Sequence, residues 1–216
     1  MVARALYLVK HSRGDGLLAV SFLTTRVSDP DEDDMKKLNR LLRYFNSTRD
    51  LALIIKHNPG STIEAYIDAS YGIHNDCRSH TGMIITLGHG AMDTRSTKQK
   101  LNTKSSTESE LVALSDMCGK VIWCREFLIG QGMNPPPARV YQDNQSTLAM
   151  IKHGSSTSDR TKHVSIRYFW VKDRVDQGEI EVIYCPTEDM IADILTKPLQ
   201  GETFKKLRAL LLNWTF

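Results

Sequence analysis

Apolar and polar residues alternate in the middle of the chain, and this pattern predicts a sheet. In "TIEAYIDASYG", Ile63, Ala65, Ile67 and Ala69 alternate with more polar positions, which is typical of a half-buried strand. The segments "TGMIITLG" and "AMDTRSTKQK" follow, and the Gly88-His89-Gly90 sequence between them favours a hairpin. We therefore expect an antiparallel meander of three strands.

Helical spacing of apolar residues dominates the part of the chain that follows the meander. A long helix is predicted from "TESELVALSDMCGKVIWCREFLIGQG", and shorter ones from "DNQSTLAMIKHG", "VSIRYFWVKDRVDQG" and "TEDMIADILTK". The stretches "ARVYQ" and "EIEVIYC" are predicted strands between them, and the basic stretch "SSTSDRTKH" is a predicted loop. Strands that alternate with helices indicate parallel pairing through right-handed crossovers. The fold class expected is an α/β (α+β) mixed sheet of five strands in the order 3-2-1-4-5, flanked by helices.

Residues 1–57 have a different pattern and are predicted to be a small helical appendage. Apolar residues at helical spacing predict one amphipathic helix from about Pro30 to Asn46, with Ser28 as its N-cap. The acids at 31–34 complement the dipole of its first turn, so we do not interpret them as a site. The stretch "LALIIKH" is a predicted strand, and "NPGST" marks the boundary of the main domain, 62–200. Residues 201–216 form a predicted C-terminal amphipathic helix.

Composition and charge narrow the class of protein only modestly. A net charge of +3 is too small to indicate nucleic-acid binding by the chain as a whole, so a basic binding face would have to be local. We find no run of eighteen apolar residues and no secretory signal, so we expect an intracellular, soluble protein. The four cysteines have no metal-binding spacing and are predicted to be reduced thiols. All histidines except His163 are isolated in the sequence, which favours surface or capping roles.

Four acids occupy positions at which a catalytic site could form. Asp68 lies in the middle of the first predicted strand, Glu110 in the first turn of the long helix, Asp143 at the end of the fourth strand, and Asp193 in the last helix. They converge only if the first and fourth strands are neighbours. Converging carboxylates raise one another's pKa, and a pair of Mg²⁺ or Mn²⁺ ions resolves that repulsion.

Each acid also has a structural interpretation that the sequence leaves open. Asp68 and Asp193 fit solvent-exposed positions, and Asp143 fits an N-cap. The S/T-x-x-E capping box fits both Ser105 with Glu108 and Thr107 with Glu110. Geometry alone does not choose between the two glutamates, because they project about 200° apart around a helix.

Several blocks of the chain resemble the ribonuclease H domain of copia-type LTR retrotransposon Pol polyproteins. They are "YIDASYG", "STKQKLNTKSSTESELVALS", "VYQDNQSTLAMIKH", "RTKHVSIRYFWVKD" and "CPTEDMIADILTKPLQGETFKKLRALL". Residues 1–57 are similar to the connecting segment that precedes this domain in those polyproteins. The family's metal-binding Glu directly precedes the apolar "LVAL" run, which corresponds to Glu110. The resemblance implies a ribonuclease H-like fold with metal-binding, catalytic carboxylates at Asp68, Glu110, Asp143 and Asp193.

The function implied is hydrolysis of the RNA strand of RNA·DNA hybrids by two divalent cations. Backbone contacts to the hybrid are expected from seven basic or polar residues: Arg95, Lys98, Lys100, Lys104, Arg160, Lys162 and His163. An upstream reverse transcriptase polymerase domain is an expected partner in a longer polyprotein, with no membrane involved. The expected location is a cytoplasmic virus-like particle or the nucleus.

Two alternatives remain open from the sequence. The chain could be a non-catalytic relic of a polyprotein that serves as a binding or packing module. It could also be an integrase-type nuclease, because Asp143 and Glu179 are separated by 35 residues with Asp68 upstream. That chemistry needs its Glu on a helix, however, and Glu179 is predicted to begin a strand.

Overall fold

The computed structural model describes residues 1–57, 62–153 and 162–214. The helices are α1 (Val2–His11), α2 (Leu17–Thr24), α3 (Glu32–Ser47), α4 (Ser106–Gly130), α5 (Gln145–His153), α6 (Lys162–Asp176) and α7 (Gly201–Leu212). The strands are β1 (Lys56–His57), β2 (Glu64–Ser70), β3 (His80–Thr86), β4 (Gly88–His89), β5 (Asp93–Lys98), β6 (Ala138–Gln142) and β7 (Ile180–Tyr184). Short 3₁₀ turns lie at Gly14–Gly16, Thr187–Asp189 and Ile191–Leu195.

Five strands form one mixed sheet in the order β5-β3-β2-β6-β7. Strands β2, β3 and β5 pair antiparallel as a meander, and β6 and β7 are added parallel to β2. Counted within this sheet alone, the order is 3-2-1-4-5, as predicted. The sheet order and the flanking helices are those of the ribonuclease H-like fold.

The two faces of the sheet are covered by different parts of the chain. On one face, Ile67 and Met83 pack with α4 and α6 in a core that includes Leu114, Val121 and Val171. On the other face, Ile84 packs with residues of α1, α2, α3 and α7. Residues from the first 57 therefore share a hydrophobic core with the sheet and the last helix.

A buried polar network holds the N-terminal helices to α7. The Arg13 guanidinium donates to the Asp15 carboxylate, with 3.0 Å from Nε to Oδ1 and 2.8 Å from Nη2 to Oδ2. The Tyr44 hydroxyl also donates to Asp15, and Arg208 of α7 donates to that hydroxyl across 3.2 Å. These groups are half-buried or buried, so the network fixes the orientation of the helices as well as their contact.

Two predictions about the N-terminal segment need correction. The N-cap of α3 is Asp31, not Ser28, because the Asp31 and Asp34 side chains form a reciprocal capping box. The stretch "LALIIKH" contributes only Lys56–His57 as a strand, and Ile54 and Ile55 are exposed. The Ile54 N–H donates to the Leu212 carbonyl instead of to a neighbouring strand, so this stretch lies beside the C-terminal end of α7.

In the main domain one prediction is confirmed and one needs correction. The chain reverses across Gly88-His89-Gly90 and β3 pairs antiparallel with β5, as predicted for a hairpin, although Gly88–His89 also pairs with β1 in a separate two-stranded sheet. The predicted last helix is two 3₁₀ turns, interrupted at Met190, whose ψ of 91° is extended. Ala192, Asp193, Ile194 and Leu195 are all buried, so packing on both sides overrides the helical spacing of the apolar residues.

Within the described residues, none of the helices combines the length and the apolar character required to cross a membrane. Of the predicted loop at 155–163, residues 155–161 lie outside the described residues, whereas Lys162 and His163 belong to the first turn of α6 rather than to a loop. Residues 215 and 216 also lie outside the described residues.

Candidate metal centre

Strand pairing brings Asp68 and Asp143 close together, toward the carboxyl ends of the neighbouring strands β2 and β6. The parallel pairing of β2 with β6 has its last register pair at Tyr66 and Tyr141. Asp68 and Asp143 each follow that pair by two residues, so both lie just beyond the point at which the parallel pairing ends. Asp68 is only 2% exposed, although it lies on a polar position of β2.

Gly82 allows the segment that carries Asp193 to approach Asp68. Gly82 on β3 pairs directly with Asp68. A Cβ atom at this position would lie 2.7 Å from Thr196 Cγ2 and 3.0 Å from the Ala192 carbonyl oxygen. The absence of a side chain therefore lets the 3₁₀ turn at Ile191–Leu195 pack against the sheet.

Three aspartates converge as a result. Each of Asp68, Asp143 and Asp193 offers a carboxylate oxygen, and these oxygens lie within 4.8 Å of one another. Oxygens bound at about 2.0–2.6 Å to one ion are at most roughly 5 Å apart, so this spacing suits a shared cation. The Thr187 hydroxyl also donates to Asp143 Oδ2 across 3.0 Å.

Glu110 adjoins this group from the first turns of α4. Its carboxylate is buried and accepts from the Gln142 side-chain amide, with 3.1 Å between Nε2 and Oε2. Glu108 points elsewhere and takes part in the cap: its backbone N–H donates to Ser105 Oγ across 3.2 Å, and its Oε2 accepts from the Lys104 N–H across 2.7 Å. The structure thus separates the two glutamates that the sequence leaves ambiguous.

Burial and mutual repulsion shift the carboxyl pKa values upward. Burial raises the pKa of Glu110 well above its usual value, and the nearby Asp68 charge adds to the shift. Burial raises the pKa of Asp193 to about 6, with a further contribution from Asp68. Burial likewise raises the pKa of Asp68, partly offset by Lys197 and Thr196. Such shifts mark a site at which added positive charge is stabilising.

Besides Thr187 and Gln142, two further polar residues of this centre could not be identified from the sequence. The Thr196 hydroxyl donates to Asp68 Oδ2. The Lys197 ammonium lies 2.6 Å from Asp193 Oδ1 and 3.7 Å from Asp68 Oδ1. The i,i+4 spacing of Asp193 and Lys197 was a signal for their pairing, but the approach of both residues to Asp68 depends on tertiary packing.

Comparisons with known proteins find relatives among retrotransposon polyproteins. Over 207 residues it is 30% identical to the Retrovirus-related Pol polyprotein from transposon RE1 of Arabidopsis thaliana, a match that covers 94% of this chain and 14% of the polyprotein. It is 29% identical over 210 residues to the polyprotein from transposon TNT 1-94 of Nicotiana tabacum, covering 97% and 16%. The Transposon Ty1-JR1 Gag-Pol polyprotein of Saccharomyces cerevisiae is 29% identical over 213 residues, covering 96% and 12%. The chain is related to the retrotransposon Pol polyproteins of the copia and Ty1 type.

This Pol-related chain spans less than a fifth of the length of these relatives. No protein-family model matches it. Among solved structures, LC11-RNase H1 isolated from compost has a TM-score of 0.48 and 17% identity, covering 68% of this chain and 97% of that one. The assignment of the fold rests on the strand order described above.

Four of the seven residues predicted to contact nucleic acid have side chains in the described part of the Pol-related chain. Arg95, Lys100 and Lys104 are exposed, and Lys98 is half-buried with its Nζ 2.7 Å from Asp76 Oδ2. Arg95 and Lys98 lie three residues apart on β5 and therefore project from opposite faces. Arg160 and the side chains of Lys162 and His163 lie outside the described residues.

The integrase-type alternative finds no support in the position of Glu179. The Glu179 carbonyl accepts from the Ala138 N–H, so Glu179 lies at the start of β7. Asp143 lies at the other end of the neighbouring β6, about 16 Å away along the strand. The Glu179 carboxylate is paired with Arg174 across 3.1 Å.

His80 is buried and bonded, which corrects its prediction as an isolated surface or capping residue. Its Nε2 lies 2.8 Å from Ser96 Oγ, and Ser96 donates to the Leu195 carbonyl across 2.8 Å. Since the Ser96 proton is committed to Leu195, His80 must donate from Nε2 and accept at Nδ1 from His74, 3.0 Å away. Burial lowers the pKa of His80 to about 4, so this neutral chain of bonds supports the turn that carries Asp193.

Proposed function

We propose that the chain is a metal-dependent endoribonuclease that hydrolyses the RNA strand of RNA·DNA hybrids during retrotransposon reverse transcription. In this proposal Asp68, Glu110, Asp143 and Asp193 bind two Mg²⁺ or Mn²⁺ ions. The observation that carries the proposal is the approach of three aspartate oxygens to within 4.8 Å at the end of β2 and β6, with Glu110 beside them. The relationship to Pol polyproteins supports the substrate class.

The residues of the centre fit hard divalent cations. All four ligands are carboxylates, and oxygen donors are the ones that Mg²⁺ and Mn²⁺ prefer. When bound, such ions activate a water molecule for attack on the scissile phosphate and stabilise the departing 3′-oxygen. Asp68, on the central strand β2, would hold the ions together with the other three acids. Thr196 orients Asp68, and Gln142 orients Glu110, by donating hydrogen bonds to their carboxylates.

Hybrid binding is proposed to rely on phosphate and 2′-hydroxyl contacts rather than on base edges. The basic residues proposed for these contacts are Arg95, Lys98, Lys100 and Lys104, joined by Arg160, Lys162 and His163. Lys98 lies on the same face of the sheet as Asp68, because β5 and β2 are both in register with β3. Since the relatives are much longer polyproteins, we propose an upstream polymerase domain as a partner, in an intracellular particle or the nucleus.

Cleavage of end-labelled duplexes tests this function. With Mg²⁺ or Mn²⁺, the chain should cut the RNA strand of a hybrid to products with 5′-phosphate and 3′-hydroxyl ends. Double-stranded RNA and double-stranded DNA of the same sequence should remain intact. Metal binding and hybrid binding without cleavage would refute the nuclease and favour the non-catalytic binding module. Cleavage of duplex DNA at the same rate as the hybrid would refute the substrate class.

A further inference from the structure

The Lys197 side chain lies inside the group of acids that the proposed function assigns to metal ions. Its ammonium is 2.6 Å from Asp193 Oδ1 and 3.7 Å from Asp68 Oδ1. The side chain is about two-thirds buried, at 35% exposed, and the two carboxylates are at most 9% exposed. Lys197 is therefore a cation held among buried anions by the fold.

An ammonium and a divalent cation that share these two carboxylates repel each other. A cation bound to Asp68 and Asp193 would lie about 2.0–2.6 Å from their carboxylate oxygens. The ammonium already donates a hydrogen bond to Asp193 Oδ1 and lies 3.7 Å from Asp68 Oδ1. The two positive charges would then be separated by only a few ångströms in a poorly solvated site, where their repulsion is strong. The ammonium at its present position therefore opposes metal binding at this pair.

We propose that Lys197 is a tethered counter-ion that competes with one divalent cation for Asp68 and Asp193. It neutralises part of the carboxylate charge when metal is absent, and so stabilises the metal-free fold. The same contacts weaken metal binding, so that Lys197 sets the cation concentration at which the centre fills. This inference rests on the proposed function for the identity of the metal ligands.

Direct Mn²⁺ titration by calorimetry, without nucleic acid, tests the competition. Lys197→Met removes the charge and keeps most of the side-chain volume, and it should bind Mn²⁺ at least about 10-fold more tightly than the wild-type chain. Lys197→Arg retains the charge and should stay closer to the wild type. Lys205→Met is the matched control, because it removes the same charge from an exposed pair with Glu202 on α7 and should leave the affinity unchanged.

Thermal unfolding of the same variants supplies a second readout. In chelator, the Tm of Lys197→Met should lie below that of the wild-type chain, and saturating Mn²⁺ should close the gap. The gain in Tm on adding Mn²⁺ should be larger for Lys197→Met than for the wild type, even if the metal-free variant is barely folded.

The outcomes separate this inference from the proposed function. If the wild-type chain binds Mn²⁺ and Lys197→Met binds it equally or more weakly, the competition is refuted while the nuclease stands. If Lys197→Met binds more tightly but the wild-type chain never cleaves a hybrid, the nuclease is refuted and the competition stands. Absence of Mn²⁺ binding by every variant overturns both.

Discussion

At the scale of single residues, Glu108 and Glu110 show what the sequence could and could not assign in the candidate metal centre. Their spacing established that they could not both face Asp68, but it left the choice to the family resemblance. In the structure Glu108 bonds to the Lys104 N–H, and Glu110 is buried against Gln142. Asp68 and Asp143 could be chosen from their places on predicted elements, whereas Glu110 needed the family resemblance as well. Thr196, Lys197 and Gly82 could not, because their contacts depend on the tertiary approach of one turn to the sheet.

Substitution of the two glutamates separates the cap from the metal centre. Glu110→Gln should lower hybrid cleavage in Mg²⁺ by more than about 100-fold, since even residues that only support metal ligands contribute about 10–100-fold. It should not lower the Tm in chelator, because it relieves repulsion between buried carboxylates. Glu108→Gln should preserve cleavage and cost only about 0.3–1 kcal/mol from the helix dipole. An inactive Glu108→Gln beside an active Glu110→Gln would mean that the wrong acid has been assigned.

The raised pKa of Asp193 gives the metal-free chain a predictable dependence on pH. Because its folded pKa is about 6 and its usual value is 3.8, the stability that protonation provides is complete below about pH 4 and is lost as the pH rises through 6. The wild-type chain should therefore lose stability relative to Asp193→Asn as the pH rises from 5 to 7.5 in chelator. The difference in free energy of unfolding should change by about 1 kcal/mol, or roughly 3 °C in Tm, in favour of Asp193→Asn. The exposed Asp50→Asn serves as the control. A difference between wild type and Asp193→Asn that does not change with pH would contradict the shift.

At the scale of elements, the sheet was predictable and the 3₁₀ turns were not. Alternation of apolar residues identified the main strands, and the order followed from the meander and the crossovers. The segment at 191–195 has apolar residues at helical spacing, yet it forms a 3₁₀ turn because it is buried between the sheet and α7. Its place depends on Gly82, whose role is set by a neighbour more than 100 residues away in the chain.

Gly82→Ala tests whether this close approach positions the metal centre. The added methyl group would meet Thr196 and the Ala192 carbonyl, so it should destabilise the fold by about 1–3 kcal/mol and weaken Mn²⁺ binding as Asp193 is displaced. Gly119→Ala on α4 is the matched control. A Cβ there meets nothing within 4 Å, and the helix should gain up to about 1 kcal/mol. Mn²⁺ affinity that is unchanged in Gly82→Ala would show that the turn is held by other contacts.

At the scale of the whole molecule, the first 57 residues are more closely integrated than a separate segment would be. The sequence predicted an amphipathic helix there but not the surface against which it packs. Leu41 and Phe45 of α3 belong to the same core as Ile84 of the sheet and Leu211 of α7. The division into domains at 1–57, 62–200 and 201–216 remains a prediction. From the shared core we expect the N-terminal helices and the sheet to unfold together.

Leu41→Ala tests that shared core. Truncation of this buried side chain should destabilise the whole chain by about 2–5 kcal/mol, or roughly 5–15 °C in Tm. In a Trp214→Phe background, which removes the tryptophan that packs on the N-terminal core, circular dichroism and fluorescence of Trp123 (α4) and Trp170 (α6) should report one transition with the same midpoint. Met35→Ala, at a 57% exposed position of the same helix, should change the Tm little. Separate transitions for the two probes would indicate that the N-terminal helices unfold on their own.

The proposed function requires that the converging carboxylates bind the metal ions that act in RNA cleavage. It is tested most directly by single-turnover cleavage of a labelled hybrid in Mg²⁺ by the wild-type chain and by Asp68→Asn, prepared in parallel. The wild-type chain should cleave the RNA strand and stop when chelator is added, and Asp68→Asn should bind the hybrid without cutting it. Cleavage by Asp68→Asn at the wild-type rate, or wild-type cleavage that persists in chelator, would contradict the account.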